Sequence, residues 1–344
     1  MKKNALICLL ALSVACFNNL AGQNSHYKLE KKIGLEGNGG WDYLVSDDST
    51  GLLYVSHGMI VNVVNAANGQ TIGTIPDTKG VHGIALAKDL NKGFISCGKD
   101  TSVVVFDLST LSVITRIKVT GQNPDAILYD TFSKNVFVYN GRSSNATVID
   151  ARSNAVIETI ALPGKPEFSV SDGQGKVYVN IEDKSKICMI NSSTLKLEKT
   201  WDLGKGKEPS GLALDNKNHR LFSVCGNKLM IILDATSGKQ IARLPIGESV
   251  DGAAFDPDKE RAYSSNGDGT LTVIQGTNGK DYKVLETVAT QKGARTITLN
   301  RKTHHIFLSC ARFGETPPST NENPHPRPQL IPGSFTVLDI ETLN

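Results

Sequence analysis

The chain has 344 residues, 39% of them hydrophobic and 21% charged, with 32 glycines and a formal charge of +3. That length suits two ordinary domains or one large closed one. The near-neutral charge argues against a general polyanion binder, whose affinity rests on neutralising phosphates.

Residues 1–22 are predicted to be a secretory signal. Lys2 and Lys3 precede an apolar run over 5–17, too short to span a bilayer, and small residues follow. Two processing readings stand side by side. Cleavage after Ala21-Gly22 leaves Gln23 at the mature end, whereas Leu12-Ser-Val-Ala-Cys16 resembles a loose lipobox that would anchor the protein to a membrane through a lipid on Cys16. Either way Lys2 and Lys3 are lost, leaving 35 basic against 34 acidic side chains, or +1. No later segment is apolar enough to cross a bilayer.

From Trp41 onward one unit recurs. Copies begin at Trp41-Asp42, Val81-His82, Pro124-Asp125, Pro166-Glu167, Pro209-Ser210, Val250-Asp251 and Ala294-Arg295, and their second residues lie 40, 43, 42, 43, 41 and 44 residues apart. In the copy over 81–119, apolar runs at 84–87, 93–97, 102–106 and 112–119 alternate with Gly, Asp, Asn and Ser, and no helical period appears. Four strands repeated every 40 to 45 residues are what a propeller blade requires. The predicted fold is therefore all-β, a seven-bladed β-propeller of four-stranded antiparallel blades forming a single domain over 23–344. The last copy stops at its third strand, 335–340. Residues 27–35, Tyr27-Lys-Leu-Glu-Lys-Lys-Ile-Gly-Leu35, match the fourth strand Leu195-Lys-Leu-Glu-Lys-Thr-Trp-Asp-Leu203 of the fourth copy. The N-terminal strand is predicted to complete blade 7, which removes the open sheet edges.

Outside the signal the cysteines are Cys97, Cys188, Cys225 and Cys310. Three of them end the second strand of blades two, five and seven, farther apart than the roughly 7 Å between Cα atoms that a disulfide tolerates, so four unpaired thiols are expected. No CxxCH occurs, which excludes covalent c-type haem. Asp107, Asp150, Asn191, Asp234 and Asp339 close third strands and are expected to cap the turns that follow. His304 and His305 are predicted to be strand neighbours facing opposite ways.

The candidate site is one end of the central channel. Loops entering the innermost strands bring Asp42, His82, Asp125, Glu167, Ser210, Asp251 and Arg295, one per blade. Loops between second and third strands add His57, Lys99 and Arg142 on the same face. In blade 7 that loop swells over about 311–333 and holds six of the 13 prolines; it is predicted to cover the channel mouth and bring Arg312, Phe313, His325 and Arg327 toward a ligand. His57, His82 and His325 beside Asp42 would suit zinc or a similar divalent metal. The functional expectation is an exported, monomeric, noncatalytic module binding a small molecule, glycan or protein segment. The alternative is a metal-assisted lactonase or lyase, with Glu167 or Asp125 as base, His82 as acid or ligand, and Arg295 on an oxyanion.

The repeats resemble the YVTN-type seven-bladed propellers of bacteria, and within them the exported YncE-like group. The carriers are Gly40-Trp-Asp-Tyr-Leu44, Val81-His-Gly-Ile-Ala-Leu86, Asn123-Pro-Asp-Ala-Ile-Leu-Tyr-Asp130, Val177-Tyr-Val-Asn-Ile-Glu-Asp-Lys184 and Val250-Asp-Gly-Ala-Ala-Phe-Asp256. Similarity to this group implies the propeller. By analogy with one member it also implies single-stranded DNA as a partner, which would need Trp41, Phe168 and Phe313 exposed beside basic residues. Related propellers hold haem or act as lactonases and lyases, so the fold alone decides no function.

Overall fold

A computed structural model describes residues 25–320, 324, 326 and 328–343; the predicted signal, His325 and Arg327 lie outside that set. The described strands form seven four-stranded antiparallel sheets. In blades 1 to 6 the strands follow one another in sequence, starting from the inner strands Trp41–Asp47, Val81–Ala87, Pro124–Asp130, Pro166–Ser171, Pro209–Asp215 and Val250–Asp256. Blade 7 runs Thr296–Asn300, His305–Cys310 and Thr336–Thr342, and its fourth strand is Tyr27–Gly34, antiparallel to Thr336–Thr342 with Ile33 opposite Val337. The ring closes as the sequence predicts.

Strand position within a blade explains the residue patterns. A second strand such as Asn135–Asn140 is buried at every residue, because other blades pack on both its faces, and it reads as a continuous apolar run. A fourth strand such as Lys196–Asp202 lies at the rim and is mostly exposed. The core is accordingly seven interblade wedges rather than one centre. Phe94, Val103, Val136 and Val138 fill the wedge between blades 2 and 3. Ile33, Leu44, Val55, Phe307 and Val337 fill the one between blades 7 and 1. Cys97, Cys188, Cys225 and Cys310 are buried and free, as their spacing requires.

The inner strands share an irregularity. In blades 1 to 6 the ladder slips just after the first residue, between Trp41 and Leu44, Val81 and Ile84, Pro124 and Ile127, Pro166 and Ser169, Pro209 and Leu212, and Val250 and Gly252. Such a bulge lifts the second residue out of the regular pairing and re-aims its side chain. In three blades its carbonyl is then caught by the preceding blade: Ser96 donates to the Asp125 carbonyl, Thr296 to that of Asp42 at 2.8 Å, and Asn180 to that of Ser210 at 2.9 Å. Ser265 likewise donates to the Arg295 carbonyl of blade 7, whose inner strand is not slipped.

Two turn assignments need correction. Asp107, Asp150, Asn191 and Asp234 do accept turn N–H groups, but Asp339 has no turn after it; it lies inside the last strand and pairs with His305 at 2.6 Å and Lys31 at 3.3 Å. His304 is not a strand residue: it ends the preceding turn at φ 61°, with its ring 2.7 Å from Asp256.

Because Ile33 is 4% exposed and sits in the closing wedge, Ile33→Ala is expected to cost about 2–5 kcal/mol. The exposed Lys28→Ala in the same strand should cost under about 0.5 kcal/mol. Urea unfolding of both variants measures the contrast; equal, small losses would show that the closing strand carries little of the ring's stability.

Candidate functional site

The bulged positions do converge on the channel mouth. His82 Nδ1 lies 2.6 Å from Asp42 and 3.6 Å from Asp125. Arg295 Nε is 3.0 Å from Asp251, and Lys165 is 2.7 Å from Glu167 while also pairing with Glu182. Four carboxylates thus share one small, partly dry space. Burial opposes the charge on His82, but its hydrogen bond to Asp42 and the fields of Asp125, Asp42 and Glu167 outweigh this and push its pKa up to about 9. Burial, followed by the charge of Asp42, raises Asp125 to about 6. Burial and the charge of Asp125 raise Glu167 to about 8 despite Lys165. Burial lifts Asp251 to about 7 against the pull of Arg295.

Beneath this ring the channel is plugged. The rings of Tyr43, in blade 1, and Phe168, in blade 4, meet with centroids 5.4 Å apart; blades that are not neighbours touch only by reaching across the axis. Tyr43 is buried and feels all four carboxylates, which together with burial hold its hydroxyl well above the usual range and therefore protonated. The mouth above is a cup of ≈ 860 Å³ lined by Trp41, Asp42, His82, Lys99, Arg142 and Arg295 among others. Below the plug lies a separate cavity of ≈ 470 Å³ with mixed walls, Ile84, Ile127, Phe168 and Leu214 alternating with Ser46, Ser169, Ser171 and Asn216. Its rim is neutralised by the pairs Asp47–Lys88 at 2.9 Å and Asp48–Arg301 at 3.0 Å.

The blade 7 insertion adds a third space. Its two ends pair, Phe313 opposite Leu330, with Gly314 donating to the Gln329 carbonyl and Ile331 to that of Arg312. Phe313 leans on Trp41 with centroids 6.0 Å apart and stays 38% exposed. Under it opens a cavity of ≈ 710 Å³ lined by Ser249, Lys292, Arg295, Arg312 and Phe313 among others. This cavity and the cup share Arg295.

Of the predicted site residues, Asp42, His82, Asp125, Glu167, Asp251 and Arg295 form the ring, Arg142 lines the cup, and Arg312 lines the space under the insertion. His57 does neither. It is 2% exposed, stacks on Phe335 at 4.0 Å, and its Nδ1 lies 3.2 Å from the Glu36 carbonyl. The close passage of Gly37, where a Cβ would sit 2.6 Å from that nitrogen, seals it in. The three-imidazole metal set therefore fails at His57, and His325 lies outside the described residues. Among the described residues near the mouth, Asp42, His82 and Asp125 bring potential ligand atoms within 4.8 Å of one another. There the imidazolium of His82 already supplies the positive charge between the two carboxylates. Ser210 turns aside to the Val250 carbonyl at 3.2 Å. Sequence reasoning missed Tyr43 as the floor and Lys165 as the partner of Glu167. The first has no sequence signal; the second had one, the lysine two residues before the glutamate.

No family model matches the chain. Over 211 residues it is 21% identical to the protein YncE of Salmonella typhi, and equally to that of Salmonella typhimurium strain LT2. The match covers 59% of this chain and 59% of each relative, so it spans under two thirds of the curated relatives' length. Among solved structures, the chain is similar to one from Kuenenia stuttgartiensis hydrazine synthase, with a TM-score of 0.67 and 16% identity over 83% of this chain and 95% of that one. It is also similar to one from a mitotic checkpoint complex, with a TM-score of 0.74 and 12% identity over 99% and 100%. Such likenesses establish a shared fold and carry no function with them.

The ring sets a pH dependence. His82, Glu167, Asp251 and Asp125 all hold protons more tightly when folded than at their usual 6.5, 4.5, 3.8 and 3.8. The folded state therefore binds more protons than the unfolded one between those values and about 9, and stability falls as pH rises through that window. His57, lowered by burial, acts in the opposite sense around its usual 6.5. Thermal unfolding is expected to show a lower midpoint at pH 8.5 than at pH 6, and Glu167→Gln should flatten the difference. A flat profile in the parent protein would contradict this account of the ring.

Proposed function

We propose that the protein is an exported, noncatalytic binding module whose ligand seats in the cup above the Tyr43–Phe168 plug. The observation that carries this reading is the plug itself: it turns an open channel into a recess with a charged wall. Recesses of several hundred Å³ with a few convergent polar groups are where ligands bind. The side chains a lactonase or lyase would employ are engaged elsewhere, Glu167 with Lys165, His82 with Asp42 and Arg295 with Asp251, which favours binding over turnover. The similarity to YncE raises single-stranded DNA as a partner, but two of the three aromatics it would need are spoken for. Phe168 faces Tyr43 inside the channel, and Trp41 lies between Phe313 and Phe335. Export rests on residues 1–22, whose removal is read from the N-terminus of the protein recovered from the producing cell.

Soaking crystals with a fragment library tests the site. Fragments are expected in the cup and the adjoining space around Arg142, Arg295 and Phe313, chemically unchanged after incubation. Fragments confined to the lower cavity, or recovered as products, would overturn the reading.

Replacing residues 314–329 by Asn-Gly joins the already paired Phe313 and Leu330 through a tight turn. This variant is expected to unfold cooperatively near the parent's midpoint while losing fragments from the ≈ 710 Å³ space. Global unfolding instead would make the insertion part of the fold.

A further inference from the structure

We propose that the cup and the space beside it take an acidic oligosaccharide, its carboxylates on the rim cations and its hydroxyls on the ring carboxylates; this rests on the reading of the cup as a ligand site. The charges are layered. Lys99 and Arg142 line the cup, Lys292 and Arg312 line the adjoining space, and none of the four forms an ion pair among the described residues. Arg295 lies between, shared by both. An anion at the rim would therefore meet cations without having to displace an acidic partner from the four. One storey down, the order reverses. Asp42 lines the cup beside His82, and the nearest cation to Asp125 is that same His82 at 3.6 Å, longer than a hydrogen bond.

A ligand that fits both layers needs anionic groups on its outside and hydrogen-bond donors on its inside. Carboxyl oxygens accept hydrogen bonds in either protonation state, so they take sugar hydroxyls, whereas a phosphodiester backbone offers them no donor. That distinction favours a uronic-acid chain over nucleic acid. The exposed ring of Phe313 supplies an apolar face in the space that Lys292 and Arg312 also line, suited to the C–H face of a pyranose. Two spaces of ≈ 860 and ≈ 710 Å³ that meet at Arg295 exceed what one monosaccharide fills, so the ligand spans several rings.

The test uses the full mature chain with Trp201→Phe, leaving Trp41, beside the cup and under Phe313, as the single indole. Three probes are titrated by Trp41 emission and by calorimetry: tetragalacturonate, its fully methyl-esterified form, and an eight-residue oligothymidylate. Tetragalacturonate is expected to bind and to weaken with salt, and the ester to bind at least about tenfold less tightly, since charge-assisted contacts are lost. Arg142→Ala and Phe313→Ala should each weaken the acid by about tenfold with unchanged thermal midpoints. Asp125→Asn should weaken the acid sugar while leaving oligothymidylate no weaker. Equal binding of acid and ester, or tighter binding of oligothymidylate, would overturn the proposal. If tetragalacturonate fails to bind while fragments still occupy the cup, the ligand class is wrong and the site stands; if both fail, the site falls too.

Discussion

A hydrogen bond passed from one blade to the backbone of the next is the contact on which the molecule turns. Each inner strand of blades 1 to 6 starts with a slipped register, and the slip leaves a carbonyl with no ladder partner. A buried carbonyl left unpaired costs on the order of 1–3 kcal/mol, and in three of these blades a side chain of the preceding blade fills the place. Ser96, Asn180 and Thr296 are those donors, for Asp125, Ser210 and Asp42 in turn, and Ser265 holds the Arg295 carbonyl of the unslipped blade 7 in the same way. One device does two jobs: it sews adjacent blades together at the axis, and it fixes the direction in which each ring side chain points. Close backbone approach is the other half of it. A Cβ on Gly83 would sit 2.8 Å from Ile127, and one on Gly211 would sit 2.6 Å from the Ala253 nitrogen.

The electrostatic character of the mouth follows from that geometry. Seven strands starting at one axis must bring their second residues together, and four of those residues are acids. Their mutual repulsion is real, and it appears as carboxylic acids that hold their protons into the neutral range rather than as an open, swollen channel. His82, Lys165 and Arg295 each attach to one of the acids and limit the cost. The structure tolerates the remaining strain because most of its hydrophobic stabilisation lies elsewhere, in the wedges between blades. A charged centre in a fold with one central core would have no such refuge.

What the sequence discloses and what it withholds divide along physical lines. Period, strand count and ring closure are properties of the chain's apolar pattern, and they were legible from the spacing of Asp42, His82 and their equivalents and from the likeness of 27–35 to 195–203. Ring membership followed, because register alone places those residues. Side-chain direction did not follow: His57, expected in a loop, instead ends the second strand Leu52–His57, where the glycine-rich segment before blade 1 folds over it and Phe335 takes its face. Contacts across the axis were equally hidden, since nothing in the sequence near Tyr43 announces Phe168. Asp339 imitates the turn-capping aspartates of other blades, but the next element in space is the N-terminal strand. It therefore turns to His305 and Lys31 instead.

The same closure explains why the large insertion sits in blade 7. That blade is built from both ends of the folded chain, and its third strand is held on one side by His305–Cys310 and on the other by Tyr27–Gly34. A strand pinned on both sides keeps its place however long the loop that delivers it, and loop length itself adds only slowly to the entropy of closure. The insertion is narrowed at its base by the Phe313–Leu330 pairing and by Ser334, which accepts from the Arg312 N–H at 3.0 Å and donates to the Ile331 carbonyl at 2.6 Å. Whatever the loop does above that neck, it does without straining the ring below. Phe313 leaning on Trp41 ties the neck to blade 1. The neck of the insertion and the seam that closes the propeller are thus one piece of structure.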